Sequence, residues 1–295
     1  MFGIINFFLK PRVWVATIFL SITLVSIIIG KVALAIFIAV LIFVGSKEFV
    51  NFVRAKGLDP DLRLILFIDF LFIFFAMLQS FDRSSHFIKH YDFMGLVATF
   101  GVIATFIKIM FRGNKATIND AAVTVMGFMY GGWLPTHIIM LRNLYKNGID
   151  LFGFGVREGL GFIILIFFVI SASDIAAYYI GKKYGNKPLW PEISPKKTVQ
   201  GAIAGTLGGV AASVIIGSII SIGIIHSLIA GFLLSLAAQF GDLAESMMKR
   251  DAGVKDSGTI LPGHGGVLDR ADSYIFTGAV AYYYFSLFVI GKAMF

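Results

Sequence analysis

Apolar runs of membrane-crossing length recur along the whole chain, and this fixes its solvent before any motif is read. A helix that crosses the hydrocarbon core needs about 20 consecutive apolar residues. Backbone groups in lipid must be satisfied internally, so helices are the natural outcome. The candidate spans are 13–30, 32–46, 62–79, 93–111, 118–141, 159–181, 200–219, 221–246 and 272–294. The second is short, and its helical pattern runs on toward Glu48–Lys56. Segments seven and eight part only around Ser221–Gly223, as a tight turn or a broken helix would require. The predicted fold class is an all-α polytopic membrane protein of about nine transmembrane helices. Charged residues make up 14% of the sequence, against about 25% in soluble domains, which excludes an ordinary water-soluble globule. No cysteine is present, so disulfides and thiolate metal ligands are excluded. Met1–Leu20 does not read as a cleaved signal, because Lys10 and Arg12 precede a full-length span with no small-residue cleavage site. Residues 1–150 form an N-terminal group of about five spans, a scaffold and candidate dimer contact. Residues 151–295 carry the loops 182–199 and 247–271 and form the catalytic region.

Orientation follows from lysine and arginine. One side collects the N-terminus and the loops 47–61, 112–117, 182–199 and 247–271. With the flanking Arg63, these hold 17 of the 25 basic residues. The other side holds Lys31, Arg83, Lys89, Arg142, Lys146, Arg157 and Lys292, and Lys108 lies inside a span. The basic side is cytoplasmic, so the N-terminus is expected inside and the C-terminus outside. The net charge of +8 suits anionic lipid or nucleotide phosphates, and suits loop bias equally.

Acids inside membrane helices are costly and mark function. Asp69, Asp120, Asp174 and Asp242 fall in the cytoplasmic halves of their spans, and Asp269 and Asp272 stand at the entrance of the last. Ser171, Asp174 and Tyr178 share one helical face that ends at Lys182 and Lys183. Loop 182–199 carries five lysines and the run Ser194-Pro195-Lys196-Lys197-Thr198. The densest polar stretch is 241–272. There Asp242, Glu245, Ser246 and Lys249 fall at i, i+3, i+4 and i+7. Two carboxylate pairs at helix ends offer only oxygen ligands, which favours Mg²⁺. Lys249, Arg250, Lys255 and Arg270 lie between or beside them, and Gly258, Gly263, Gly265 and Gly266 let backbone amides approach an anion. This is the equipment of phosphoryl or nucleotidyl transfer.

The same stretch closely resembles the phosphatidate cytidylyltransferase (CDP-diacylglycerol synthase) family. The signature is carried by Ser246, Lys249, Arg250, Lys255, Asp256, Pro262, His264, Gly265, Gly266, Asp269, Arg270 and Asp272. Ala271 stands where the family usually has a larger apolar residue. Gly241–Ser246, Asp174 to Tyr178 and Ser194 to Gly201 extend the likeness upstream. The resemblance implies transfer of CMP from CTP to phosphatidic acid, Mg²⁺ dependence, residence in the cytoplasmic (inner) membrane with a cytoplasm-facing site, and a homodimer. No nucleic-acid partner is expected. On this reading Asp242, Asp269 and Asp272 hold the metal, with room for a second cation, divalent or monovalent. Lys249, Arg250 and His264 join them in the catalytic set. Asp174, Tyr178, Lys197, Thr198, Ser246, Lys255, Asp256, Gly265, Gly266 and Arg270 bind substrate. Two competing readings are a CTP-dependent lipid or polyprenol kinase and a cation-coupled transporter.

Overall fold

Each apolar segment forms helix in the computed structural model, which describes residues 11–81, 92–115, 117–144, 149–151, 154–156, 158–260 and 265–291. The helices are α1 (Pro11–Ile29), α2 (Lys31–Ala55), α3 (Leu62–Phe81), α4 (Phe93–Met110), α5 (Ile118–Phe128), α6 (Leu134–Arg142), α7 (Glu158–Tyr184), α8 (Val199–Ile219), α9 (Ile224–Asp251) and α10 (Leu268–Tyr284). Among the described residues, α2, α3, α4, α7, α8 and α9 are long and apolar enough to cross a membrane. The apolar part of α1 is shorter, and the remaining two segments are interrupted. Segment 118–141 is α5 and α6 joined by a π turn, Met129–Trp133, and α10 passes into a second π turn, Phe285–Val289.

The first π turn has a local cause. Gly132 lies directly on Asp69, where a Cβ would come within 1.9 Å of Oδ1, and Gly131 lies on Ser46, with 3.0 Å to Oγ. The chain widens by one residue over α2 and α3, and only glycine lets it pass so close. Asp69 is buried and accepts a hydrogen bond from Ser46 Oγ at 2.7 Å. Asp120 accepts from the Asp59 backbone N–H at 2.7 Å. Both acids therefore belong to the packing of the N-terminal helices.

Elsewhere the links are short. Ser221, with φ 58°, and Gly223, with φ 84°, turn α8 into α9 without a break. One small hairpin pairs β1 (Ile149–Leu151) with β2 (Phe154–Val156). Loop 182–199 contains a second, β3 (Pro188–Trp190) against β4 (Ser194–Thr198), turned at 191–193. The core is aromatic and aliphatic: Phe49, Phe72 and Phe128 are fully buried, and Phe162 stacks on Phe285 at 4.1 Å. Outward-facing Phe106, Ile203, Leu207 and Ile225 remain exposed. Such apolar surface is a liability in water and the expected lipid face in a bilayer.

A glycine face of α8 packs on α7. Gly201 meets Gly181 Cα and the Ala177 carbonyl, and Gly205 meets Ser173. Close approach of this kind is how helices associate in lipid. It brings the C-terminal ends of α7 and α9 together with the N-terminal ends of α8 and α10, and the polar residues gather there.

Candidate active site

Two polar assemblies share this end of the bundle. The first is an acid cluster. Helices α9 and α10 cross at Gly241, where a Cβ would sit 2.6 Å from the Asp272 carbonyl oxygen. The missing side chain sets Asp242 beside Asp272. Asp242 Oδ2 accepts from Lys197 Nζ at 2.6 Å, and Oδ1 accepts from Ser246 Oγ at 3.3 Å. Asp272 Oδ1 accepts from the Ser273 N–H at 2.7 Å. Asp174, exposed on α7, feels the charges of Asp242 and Lys197, and Asp272 feels Asp242, Lys249 and Lys197. Asp242 thus stands between two further carboxylates, and Lys197 acts on both of them. Like charges gathered in this way are relieved by a cation.

Strand β4 is what delivers Lys197. Thr198, next along, caps α8 and accepts from the Gly201 N–H at 3.1 Å. The Thr198 hydroxyl, expected to bind substrate, is therefore occupied in ending a strand and starting a helix.

The second assembly is a clamp on the glycine turn. Asp269 Oδ1 lies 2.5 Å from Lys249 Nζ. Asp269 Oδ2 accepts from the N–H of Ser257 at 2.9 Å, from Ser257 Oγ at 3.0 Å and from the N–H of Gly266 at 2.8 Å. Burial pushes the Asp269 carboxyl up, but the Lys249 ammonium and the two backbone N–H donors outweigh it and hold the pKa below the ordinary 3.8. Lys249 also meets Glu245 Oε2 at 2.6 Å, so its ammonium is shared between two carboxylates.

Glu48, from the distant α2, closes the clamp. Its two oxygens accept from the N–H groups of Val267 at 3.0 Å and Leu268 at 2.9 Å, and Ser257 Oγ lies 3.2 Å away. A buried carboxylate here meets the unpaired amides at the start of α10 and the positive end of its dipole. Gly266 is needed for this: a Cβ would fall 2.1 Å from Ser257 Oγ and 2.5 Å from Glu48 Oε2.

The acids expected to act as one metal set are therefore divided. Asp242 and Asp272 belong to the cluster, together with Asp174, while Asp269 has one oxygen on Lys249 and the other on the turn. Among the described residues, no group of three acidic or histidine side chains is arranged to hold a metal by itself. Arg250, Lys255, Asp256 and Arg270 are exposed around the site, Tyr178 is exposed on α7, and Gly265 (φ 81°) starts the turn. His264 lies outside the described residues.

Four residues here were not singled out as site residues from the sequence. Glu48 and Ser257 organise the turn. Glu245 is buried with Oε1 lacking a hydrogen-bond partner. Tyr130, from the π turn, is likewise buried with its hydroxyl unpartnered, and it feels the charges of Glu245, Asp272 and Asp242. The available signals were an acid in the helical run beyond residue 46, a serine inside the polar stretch, and a tyrosine beside a Gly-Gly pair in an apolar span.

Comparison with known proteins adds a family. A family model described as the cytidylyltransferase family matches residues 10–288. The chain is 34% identical to a phosphatidate cytidylyltransferase of Synechocystis sp., over 92% of this chain and 95% of that protein. It is 30% identical to a phosphatidate cytidylyltransferase of Bacillus subtilis, over 95% of this chain and 98% of that one. It is also 34% identical to phosphatidate cytidylyltransferase 4, chloroplastic, of Arabidopsis thaliana, over 82% of this chain and 64% of the plant protein.

Proposed function

Given that the chain belongs to the cytidylyltransferase family, we propose that it transfers CMP from CTP to phosphatidic acid, giving CDP-diacylglycerol and pyrophosphate. The observation that carries this reading is the acid cluster of Asp174, Asp242 and Asp272 around Lys197, set beside a glycine turn clamped by Asp269 and Glu48.

A phosphate oxygen of phosphatidic acid attacks the α-phosphorus of CTP. The new P–O bond forms as the bond to the β-phosphate oxygen breaks, and pyrophosphate leaves with that electron pair. The attacking oxygen is already anionic, so no strong general base is needed. The barrier lies in bringing polyanions together and aligning them. Lys197 can swing from Asp242 to a phosphate. Exposed Arg250, Lys255 and Arg270 ring the site and meet the nucleotide phosphates and lipid headgroup. Gly265 and Gly266 bring the turn close to phosphate oxygens. Lys249 acts through Asp269 as a positioning residue, because both its short contacts are to carboxylates.

Mg²⁺ fits the cluster. The donors are all oxygen, and this ion takes one or two protein carboxylates together with substrate phosphates. Asp242 and Asp272 would hold it, and it supplies charge neutralisation at the phosphates. The third carboxylate, Asp174, would join them in holding a second cation, divalent or monovalent.

We place nine crossings, the N-terminus and the site on the cytoplasmic side of the inner membrane, and the C-terminus outside. Ion pairs at the site's end of the bundle support this: Lys108 with Asp61 at 2.9 Å, Arg112 with Asp59 at 3.4 Å, and Lys56 with Asp251. The family resemblance supports a homodimer, with residues 1–150 as scaffold and residues 151–295 carrying the chemistry.

The test is product identity. Purified protein given phosphatidic acid, CTP and Mg²⁺ is analysed by mass spectrometry of the lipid phase. CDP-diacylglycerol is expected. A lipid heavier by one phosphate, with CDP released, would replace this reading with the kinase.

A further inference from the structure

Beside the acid cluster lies an apolar cavity of about 300 Å³ between α1, α2, α6, α7 and α10. We propose that it receives one acyl chain of the phosphatidate and that Ala271 sets the bore of its mouth. This rests on the proposed function and goes further, because it assigns a subsite for the lipid tail and a determinant of entry to it.

The chemistry of the wall is the first reason. Its polar side chains are Thr23, Arg270 and Tyr274. The Thr23 hydroxyl is bonded to its own helix, at the Phe19 carbonyl. Arg270 and Tyr274 stand at the other end, and Tyr274 feels the charges of Asp174 and Asp272. Water within the cavity would find few partners, whereas an alkyl chain meets Ile38, Ile42, Ile163 and Ile166. The polar end coincides with the place where a phosphate headgroup must be held for transfer.

Length is the second reason. On α2 the wall runs from Leu34 to Gly45, about 16 Å of helix at 1.5 Å per residue. One leaflet of the hydrocarbon core is about 15 Å deep. The cavity therefore spans the depth of a single acyl chain, from the catalytic end toward the middle of the bilayer. Its outer wall includes Phe19 and Leu20 of α1, and Leu20 is exposed on the lipid side. A phospholipid can enter there with its second chain still in the membrane.

The third reason is the wall at the polar end. Ala271, a small side chain, lines the cavity next to Arg270. A larger side chain there would project into the bore just below the headgroup position.

The experiment compares kcat/KM for dioleoyl and dioctanoyl phosphatidate in mixed micelles, for wild type, Ala271→Leu and Ile38→Phe. Ile38 lies on the wall in α2, away from the motif, so the two substitutions are independent. Ile38 lies seven residues from Gly45 along α2, about 10 Å deeper. Ile38→Phe is therefore expected to lower the long-chain to short-chain ratio about tenfold, in line with the cost of a methylene-scale misfit in an apolar pocket, mainly through KM for the long-chain lipid, with the dioctanoyl rate within about twofold. Ala271→Leu narrows the mouth that both lipids pass, so KM should rise about tenfold for both with kcat held. An unchanged ratio in folded Ile38→Phe overturns the acyl-chain assignment, and so does a folded Ala271→Leu protein with wild-type KM for both lipids. Wild-type protein inactive on both lipids overturns the function itself.

Discussion

Replacing Glu48 by glutamine tests whether a residue more than two hundred positions away in sequence holds the active turn. In the native chain both carboxylate oxygens accept backbone N–H groups, at 3.0 and 2.9 Å, and Ser257 Oγ stands at 3.2 Å. Glutamine keeps the shape and one acceptor. Its amide NH₂ must then face a backbone N–H that has no other partner. A hydrogen bond to a charged group contributes about 1.5–3 kcal/mol, and loss of negative charge at the start of α10 adds about 0.3–1 kcal/mol. A net loss of about 2–3 kcal/mol in holding the turn corresponds to roughly 30- to 150-fold in rate. The assay is initial-rate CDP-diacylglycerol formation at saturating CTP and Mg²⁺, with size-exclusion and thermal-melt controls. Exposed Glu192→Gln is the control for a charge change that leaves the turn alone. Glu48→Asp should fall between, since the shortened side chain cannot span both amides. A Glu48→Gln protein that folds and keeps more than about a third of the wild-type rate would refute the clamp.

The remaining predictions concern the division of the acids. Asp242→Asn and Asp272→Asn should each raise the Mg²⁺ concentration for half-maximal activity at least about tenfold, whereas Asp269→Asn should lower kcat without moving that midpoint; a common shift in all three would restore a single metal set. Tyr130→Phe removes a buried hydroxyl that lacks a partner, so stability should hold or rise by about 1 kcal/mol, while kcat falls about tenfold with KM for CTP unchanged; loss of stability instead would show a structural bond. Asp269 titrates below 3.8 in the fold, so its stabilising contribution is complete above that pH and is lost as pH falls through the lower folded value. The difference in melting temperature between wild type and Asp269→Asn should accordingly stay constant from about pH 8 to about pH 5, and a difference that narrows within this window would contradict the depressed carboxyl.

Much of the architecture was legible because hydrophobic periodicity reports what lipid demands. The run beyond residue 46 did continue as helix, to Ala55, and the parting at Ser221–Gly223 is a turn. The break in segment 118–141 was not legible, since Gly131 and Gly132 read as ordinary small residues until Asp69 and Ser46 are seen beneath them. The motif residues do gather at one end of the bundle, but their sharing-out is tertiary. Asp269 and Asp272 are one helical turn apart, and the i, i+3 spacing gave no sign that one serves the turn and the other faces Asp242. Glu48 was hidden for a similar reason: its partners are backbone amides far along the chain, and no local pattern encodes such a contact. Thr198 shows the opposite case, a residue inside the motif whose hydroxyl is spent on capping α8.

The most direct test of the central claim follows CTP labelled at the α-phosphate with purified protein and phosphatidic acid, with and without EDTA, for wild type and Asp242→Asn. Metal-dependent label in the lipid, matched one for one by pyrophosphate and strongly reduced in the variant, is the predicted result. Label that stays in the aqueous phase, or enters the lipid equally well from the variant at limiting Mg²⁺, would contradict nucleotidyl transfer at this acid cluster.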